Sequence, residues 1–410
     1  MASPTSGGER EKLVSKLPAP LRQALKVRAA QLSTDVQDAV TDGIQAWRAH
    51  PEPLPTVDTA GAESFGTWLP EGLYDAFKQD CVTREVSYIQ GLAQAVALWL
   101  AQNPVGDEAA PTRRIIVCNQ KGGVGKTAVT AGLAQALAED PSELTPAEKP
   151  SELTDEPGDA ASMAEVAARL GLRVLMVDYD PQGHLSHQLG LKAIPAGADS
   201  LITHMLNREQ AKTPLLDLTV AIDEARFGDR LRILPAAFDA FLLDSGLTMF
   251  RGPRHAALER ALAQLEEHFD VIVIDCPPSL GLAMDAAIYY SRRRDGEKPG
   301  SSGLVITVEA EDTSAQAYGM LINQVGSLTS DYEIEVEQLG LVVNKYDSRR
   351  GYIATSSLDK WRSLGSPSVL AVIGDLKEQR EAVRLQRALL AYAPESDQAK
   401  HMRTIARRLT

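Results

Sequence analysis

One stretch restricts this chain more than any other: Ile115-Ile116-Val117-Cys118-Asn119-Gln120-Lys121-Gly122-Gly123-Val124-Gly125-Lys126-Thr127. An apolar run of β-forming residues ends in a glycine-rich turn, and a helix-forming segment follows. Glycine allows the backbone to curl so that its N–H groups face phosphate oxygens, and the helix N-terminus adds positive potential there. Lys126 is placed to reach the outer phosphates of a nucleotide, and Thr127 offers a hydroxyl to Mg²⁺. Gly122, Gly123, Val124, Gly125 and Ala128 complete the expected cradle. The spacing predicts an α/β fold, a mostly parallel sheet with helices on both faces, from Arg113 onward.

Two later strands end in carboxylates. In Val174–Asp178 followed by Tyr179-Asp180-Pro181-Gln182-Gly183, Asp178 and Asp180 fall on one side of the pleat. Carboxylates there can hold metal-bound water and orient a water against a terminal phosphate. Val271–Asp275 delivers Asp275 to the C-terminal edge of the sheet, where α/β folds place their ligands. Further strands are expected at Leu304–Val308 and Leu339–Asn344, with a weaker one at Arg232–Pro235. His184 and His187 read as surface histidines, not a metal pair.

The ordinary phosphate loop has glycine where this chain has Gln120. The placement of Lys121 before Gly122-Gly123 resembles the deviant Walker A pattern shared by ParA, MinD and the nitrogenase iron protein. The strings Asp-x-Asp-Pro-Gln-Gly (178–183) and Asp-x-Pro-Pro-Ser-Leu-Gly (275–281) resemble the ParA family in particular. The resemblance covers residues 113–350 and implies an ATP hydrolase that uses ATP and Mg²⁺. It implies that Lys121 reaches across a dimer to the partner's nucleotide and that Asp180 is needed for hydrolysis. Asp275 would bind Mg²⁺ through water, Thr127 and Asp178 would stand on the metal side, and Asn344 would bond the adenine edge. It further implies an ATP-dependent homodimer that binds DNA without sequence preference, and a ParB-like centromere-binding partner that stimulates hydrolysis. A cytoplasmic, nucleoid-associated protein is the expected result. Two positions depart from the family: Cys276 often corresponds to threonine, and Asp285 stands where many relatives have asparagine.

Residues 1–105 read as a tandem repeat. At an offset of 52, Leu17-Pro18 meets Leu69-Pro70, Val40 meets Leu92, Ile44 meets Val96 and Trp47 meets Trp99. Each copy (about 9–50 and 61–104) runs as a short strand, a helix, a break and a longer amphipathic helix. Ser33 or Thr34 is the expected N-cap of the second helix. The pattern resembles ribbon-helix-helix, with a helix-turn-helix or plain helical bundle as alternatives. A linker at 106–112 leads to the α/β domain, 113–410. Within that domain, 141–159 reads as an acidic loop and 291–302, carrying Arg292-Arg293-Arg294, as a surface insertion.

Charge separates the possible partners. The net charge is −13, yet residues 340–410 hold 13 Lys/Arg against 7 Asp/Glu. A local basic patch matters more to nucleic acid than the average does. Lys345, Arg349 and Arg350 follow a strand, and Arg380, Arg384 and Arg387, with Lys377, are spaced for one helical face. These are the expected DNA-binding residues. Two other functions compete with this one. One is a MinD-like positioning ATPase on a membrane, but only Met402, Ile405 and Leu409 of the last helix are apolar enough to insert. The other is a sequence-specific DNA-binding regulator with an ATPase switch; copy one has 7 Lys/Arg against 5 Asp/Glu and copy two 2 against 5. No run approaches the ~20 apolar residues of a membrane span, and the N-terminus does not read as a secretory leader. The three cysteines lack metal-ligand spacing, as expected in a reducing cytoplasm.

Overall fold

The computed structural model describes residues 10–31, 34–50, 54–103, 111–140, 144, 145, 148 and 171–410. They fall into two compact units, Met1–Ala109 and Ala110–Thr410. Most of the acidic segment 141–159 lies outside the described residues, as does Ser33.

The first unit contains β1 (Arg10–Leu17), α1 (Ala19–Gln31), α2 (Val36–Ala49), β2 (Glu63–Pro70), α3 (Leu73–Thr83) and α4 (Tyr88–Gln102). The strands alternate between buried and exposed side chains and pair antiparallel, with Val14 opposite Gly66. Those two positions are 52 residues apart, the repeat offset, so the ribbon has its local two-fold at this pair. The long helices cross at the same relation. A Cβ on Gly43 would stand 2.7 Å from the Ala95 carbonyl oxygen, and 43 and 95 are again 52 apart. Leu13, Leu17, Phe65 and Leu69 from the ribbon meet Trp47, Phe77 and Trp99 in one core. Trp47 Nε1 donates to Gln94 Oε1 at 3.1 Å, and Gln94 Nε2 donates to the carbonyls of Leu54 and Pro55. A buried amide thereby anchors the segment joining the two copies.

The expected cap at Ser33 or Thr34 is corrected. Asp35 occupies the N-cap position of α2. Thr34 instead closes the end of α1, its N–H donating to the Ala29 carbonyl at 2.9 Å.

Among the described residues the second unit has eight strands: β3 (Arg113–Cys118), β4 (Val174–Asp178), β5 (Val220–Ala221), β6 (Leu231–Leu234), β7 (Val271–Asp275), β8 (Gly303–Val308), β9 (Gln338–Tyr346) and β10 (Val369–Gly374). Their order is β10-β9-β8-β3-β7-β4-β6-β5, all parallel except β5. The helices are α5 (Lys126–Ala138), α6 (His184–Gln188), α7 (Leu201–Leu206), α8 (Leu243–Met249), α9 (Ala257–Glu266), α10 (Leu282–Tyr290), α11 (Asp312–Tyr332), α12 (Tyr352–Ser363), α13 (Lys377–Arg384), α14 (Leu389–Tyr392) and α15 (Asp397–Leu409). They cover both faces, and β3, β4, β7 and β8 bury nearly every side chain. Strand β10 was not foreseen: its apolar run follows a proline and serine stretch that reads as a turn.

The 291–302 segment lies at the surface, as expected, and is tied into the domain by ion pairs. Arg114 of β3 is wholly buried and makes a two-pronged pair with Glu297 at 2.7 Å. Arg292 pairs with Glu259, Arg294 with Glu266, and Arg293 with Glu335 and Glu337. One expectation for this unit changes: the basic residues of 377–387 do not share one helix. Helix α13 stops at Arg384 because Gln386 takes a left-handed conformation (φ 54°), which turns Arg387 away to pair with Glu224 at 3.0 Å.

The close crossing of α2 and α4 leads to the first prediction. Gly43→Ala gains helix propensity but pushes a methyl into a backbone carbonyl, an overpacking cost of about 1–3 kcal/mol. Calorimetry of the full chain should show the transition of the N-terminal unit lowered by several degrees and that of the α/β unit unmoved. An unchanged first transition would refute the close-contact account.

Candidate functional site

Strands β3, β7 and β4 are neighbours, and parallel register sets their ends side by side: Val117 lies opposite Asp275, and Asp275 opposite Asp178. The glycine-rich turn after β3 and both carboxylates therefore share the C-terminal edge of the sheet.

The turn is held from several directions. Gly123 and Gly125 have φ of 77° and 90°, which side-chain-bearing residues rarely adopt. Asn119 Nδ2 donates to the Thr307 carbonyl at 2.6 Å, while Asn119 Oδ1 accepts from the Lys121 N–H at 3.1 Å. Asn344 Nδ2 donates to the Val124 carbonyl at 2.9 Å, and Lys345 Nζ donates to the Gly123 carbonyl at 2.5 Å. Lys126, at the start of α5, is 6% exposed and its Nζ donates to the Lys121 carbonyl at 3.1 Å. Burial lowers its pKa, and the charges of Asp275 and Asp180 oppose that shift.

Asp178, Asp180 and Asp275 form the acidic side. Asp178 Oδ2 accepts from the Ser186 N–H at 2.7 Å and from its hydroxyl at 2.6 Å, while Oδ1 has no partner. Asp275 Oδ1 lies 3.2 Å from Thr130 Oγ1, and its Oδ2 is likewise unpartnered. Asp180 Oδ1 accepts from the Gln182 N–H at 2.9 Å, shaping the turn into α6. Burial pushes the Asp178 carboxyl up to about 6, with the Asp180 charge adding to the shift and the Ser186 bonds opposing it. Asp275 is pushed up to about 8, first by burial and then by the charge of Asp178; the Thr127 hydroxyl and Lys126 act the other way.

Two orphaned carboxylate oxygens at neighbouring strand ends, next to a threonine hydroxyl, suit a hard divalent cation. Among the described residues no group of three or more His, Cys, Asp or Glu is arranged to hold a metal by itself. That donor set fits Mg²⁺, which keeps several waters and takes its remaining ligands from substrate phosphates.

Lys121 lies inside its own chain. Its Nζ donates to Glu309 Oε2 at 2.9 Å, to Glu311 Oε1, and to Thr313 Oγ1 at 3.1 Å. Glu309 and Glu311 were missed in the sequence, although the run Val308-Glu309-Ala310-Glu311-Asp312 at a strand end was a legible signal. Thr130, one helical turn past Lys126, and Ser186 were also missed.

Beside the turn lies a 560 Å³ cavity lined by Gly125, Ala128, Asn344, Leu376, Gln379 and Gln398 among others. Three of the expected DNA-binding residues, Lys345, Arg350 and Arg380, also line this cavity. Arg380 pairs with Asp375 at 2.7 Å and Arg349 with Asp347 at 2.9 Å. The expected basic set is thus divided: Arg349 and Arg384 are on the open surface, and Arg387 is neutralised by Glu224. Met402, Ile405 and Leu409 are buried against α5 and β10. Among the described residues no helix is long and apolar enough to cross a membrane.

The raised carboxyl of Asp275 sets a pH dependence. Between its ordinary value and about 8 the folded chain holds a proton that the unfolded chain releases, so folding weakens as pH rises through that window. Asp275→Asn removes the ionisation. Measured without nucleotide or divalent metal, its melting temperature should rise relative to the unaltered protein as pH goes from about 5 to about 8. A gap that does not widen would mean that Asp275 is not strained by its burial.

Comparison with known proteins follows from this geometry. A family described as "CobQ/CobB/MinD/ParA nucleotide binding domain" matches residues 115–146, and an "AAA domain" family matches residues 158–338. The chain is 27% identical over 298 residues to the chromosome-partitioning ATPase Soj of Thermus thermophilus, covering 72% of this chain and 95% of Soj. Two uncharacterized proteins of Mycobacterium tuberculosis strains are 27% identical over 242 residues, and the chain spans only 60% of their length. A solved complex of Cyanothece McdA with ATP has the same fold, with a TM-score of 0.53 at 17% identity, covering 73% of this chain and 97% of McdA. Together with the mostly parallel sheet, these likenesses identify a nucleotide-binding ATPase domain of the ParA/Soj/MinD kind within the α/β unit, matched at residues 115–146 and 158–338.

Proposed function

We propose that this chain is a ParA-like DNA-segregation ATPase of the deviant Walker A type, which binds ATP with Mg²⁺ and cycles between nucleotide-dependent states on DNA. The observation that carries the reading is the convergence of Lys126, Lys121 and three aspartates on one sheet edge beside the 560 Å³ cavity.

Bound Mg²⁺ would neutralise phosphate charge and polarise the terminal phosphate. The residues divide the remaining work. Backbone N–H groups of 122–127 and the Lys126 ammonium hold the phosphates. Thr127 and Asp275 stand at the metal, with Asp178 behind them, positioned by Ser186. Asp180 orients the attacking water, and Ala128 and Asn344 flank the nucleotide. Lys121 serves the nucleotide of a second copy, for which it must leave Glu309 and Glu311. Non-specific DNA binding falls to Arg350 and Arg384, with Lys345, Arg349, Arg380 and Arg387 contributing where their ion pairs open. A ParB-like partner would stimulate turnover. Burial of Met402, Ile405 and Leu409 disfavours the membrane alternative.

The lysines separate the roles. Lys126→Ala should weaken ATP binding by about 10- to 100-fold, because a charge-assisted bond to phosphate is lost. Lys121→Ala should keep ATP affinity within about threefold while abolishing ATP-dependent dimerisation in sedimentation and turnover. Asp180→Ala should bind ATP and DNA but hydrolyse poorly. Normal ATP-dependent dimerisation of the Lys121 variant would remove the cross-subunit assignment.

A second reading, DNA recognition by the N-terminal unit, is favoured by the outward face of its ribbon. Arg10, Lys12, Val14 and Lys16 of β1 are exposed beside Ser64, Gly66 and Trp68 of β2, and this alternation carries no acid. The acids of copy two point elsewhere: Glu63 pairs with Arg22, Asp80 with Arg48, and Asp75 with Lys78. A two-stranded ribbon is of a size that the major groove admits. A Lys12→Ala, Lys16→Ala, Trp68→Ala variant should lose a footprint on DNA upstream of its own coding sequence and retain ATP-dependent binding to random sequence. A footprint that survives all three changes would rule the ribbon out as reader.

A further inference from the structure

We propose that Tyr352 and Ile353 form a wedge that enters a groove of duplex DNA and presses on its bases, so that part of the affinity for DNA does not depend on salt. This rests on the reading of the chain as a DNA-binding ATPase and adds a contact that charge does not supply.

The two residues open α12, just after the loop that leaves β9. Tyr352 is 84% exposed and Ile353 65%. Single exposed apolar residues are ordinary, but here two large ones adjoin at the tip of a loop. The apolar exposure does not continue along the helix. Ala354, Ser357, Leu358 and Trp361 are buried, and the exposed positions that follow are Thr355, Asp359 and Lys360. Two side chains are too few for the core of a stable protein interface, which buries about 800 Å² on each partner. They are enough for a wedge between base steps, where one or two apolar side chains unstack the bases.

Charge selects nucleic acid as the occupant. Residues 345–362 hold five Lys/Arg against two Asp/Glu. Arg349 and Arg350 immediately precede the tip, and both are exposed. Arg349 pairs with Asp347 at 2.9 Å, a pair open to solvent that costs little to break. The tip is also braced. Asp347 Oδ1 accepts from the Arg349 N–H at 3.0 Å, and the Ala354 N–H donates to the Gly351 carbonyl at 3.1 Å. Trp361 Nε1 donates to the Glu309 carbonyl at 3.1 Å, fixing the far end of α12. Gly351 takes φ 73°, which sets the turn between the arginines and the wedge. A side chain mounted this way loses less affinity to its own ordering than one on a loose loop. The arginines reach flanking phosphates while the tyrosine ring and Ile353 lie against bases. Every base offers an apolar face, so the contact needs no particular sequence.

The test separates charge from apolar contact by the salt dependence of binding. The full chain, with Mg²⁺ and a non-hydrolysable ATP analogue, is titrated with random-sequence duplex at several salt concentrations. A Tyr352→Ser, Ile353→Ser variant should bind about tenfold more weakly at every salt concentration, with its salt slope unaltered. Arg349→Ala with Arg350→Ala should instead lower the slope by about two, since each lost phosphate contact removes about 0.9. Tyr352→Phe keeps the ring and should keep the affinity. A second readout follows the bases. Closed circular DNA relaxed by a topoisomerase with the unaltered protein bound should change in linking number, and the double serine variant should lose that change at equal occupancy. Unchanged affinity in the double serine variant overturns the proposal, as does weaker binding that comes with a flatter slope. A linking number that the unaltered protein leaves as it was overturns it too. Loss of ATP-dependent dimerisation in sedimentation would assign the pair to a second copy, which also overturns it. If the unaltered protein binds no random-sequence duplex, the DNA reading itself falls. If it binds and the double serine variant behaves the same, that reading stands and only the wedge falls.

Discussion

Strands β3, β7 and β4 bury both faces, and their parallel register brings Val117, Asp275 and Asp178 level at one edge of the sheet. That register is the constraint on which the rest of the site depends. It buries two carboxylates within range of each other and of Lys126, where neither is comfortable when ionised. The strain is a direct product of fold topology, because apolar strands carry their last residues to the edge whatever the polarity of those residues. It also makes the edge responsive to added charge. A divalent cation bound there would favour the ionised carboxylates, and a phosphate's charge would oppose them.

Around that edge, charged side chains are matched inside the chain. Lys121 rests on Glu309 and Glu311, Lys345 also faces Glu309, and Arg380 rests on Asp375. These pairs are partly exposed, so each is worth little to stability. Their consequence is positional. Lys345 and Arg380, free for nucleic acid by charge counting, are already oriented by acidic neighbours. The same holds at the opposite end of the domain, where Arg292, Arg293 and Arg294 are all paired with glutamates.

The N-terminal unit solves a different problem. A two-stranded sheet alone is marginal, and here two similar copies in one chain supply both strands and the four helices that cover them. The local two-fold runs through Val14–Gly66 in the ribbon and Gly43–Ala95 between the helices. Between the helices the small residue at the axis is a steric requirement, because a Cβ on Gly43 would stand 2.7 Å from the Ala95 carbonyl oxygen, whereas Gly66 in the ribbon has room for one. Breaking the repeat elsewhere leaves the ribbon asymmetric, with its exposed cations on β1 and an exposed tryptophan on β2.

Local chemistry made much of this legible without a structure. The phosphate turn, the strand-end aspartates, the repeat offset of 52 and the linker between two kinds of pattern all depend on residues close in sequence, where spacing determines geometry. Strand β10 and the α2 cap were not readable in that way, since β10 is identified by its pairing with β9 and Thr34 by a bond back to Ala29. The basic 377–387 face failed for a related reason: one left-handed residue, Gln386, ends the helix, and a glutamate 163 positions away takes Arg387. Partners far apart in sequence also decided that Asn344 braces the turn and that Glu309 and Glu311 hold Lys121. The residue types able to do the chemistry were set by the sequence; which of them are already occupied is set by long-range packing, because a hydrogen bond is satisfied by whichever partner the fold brings within about 3 Å.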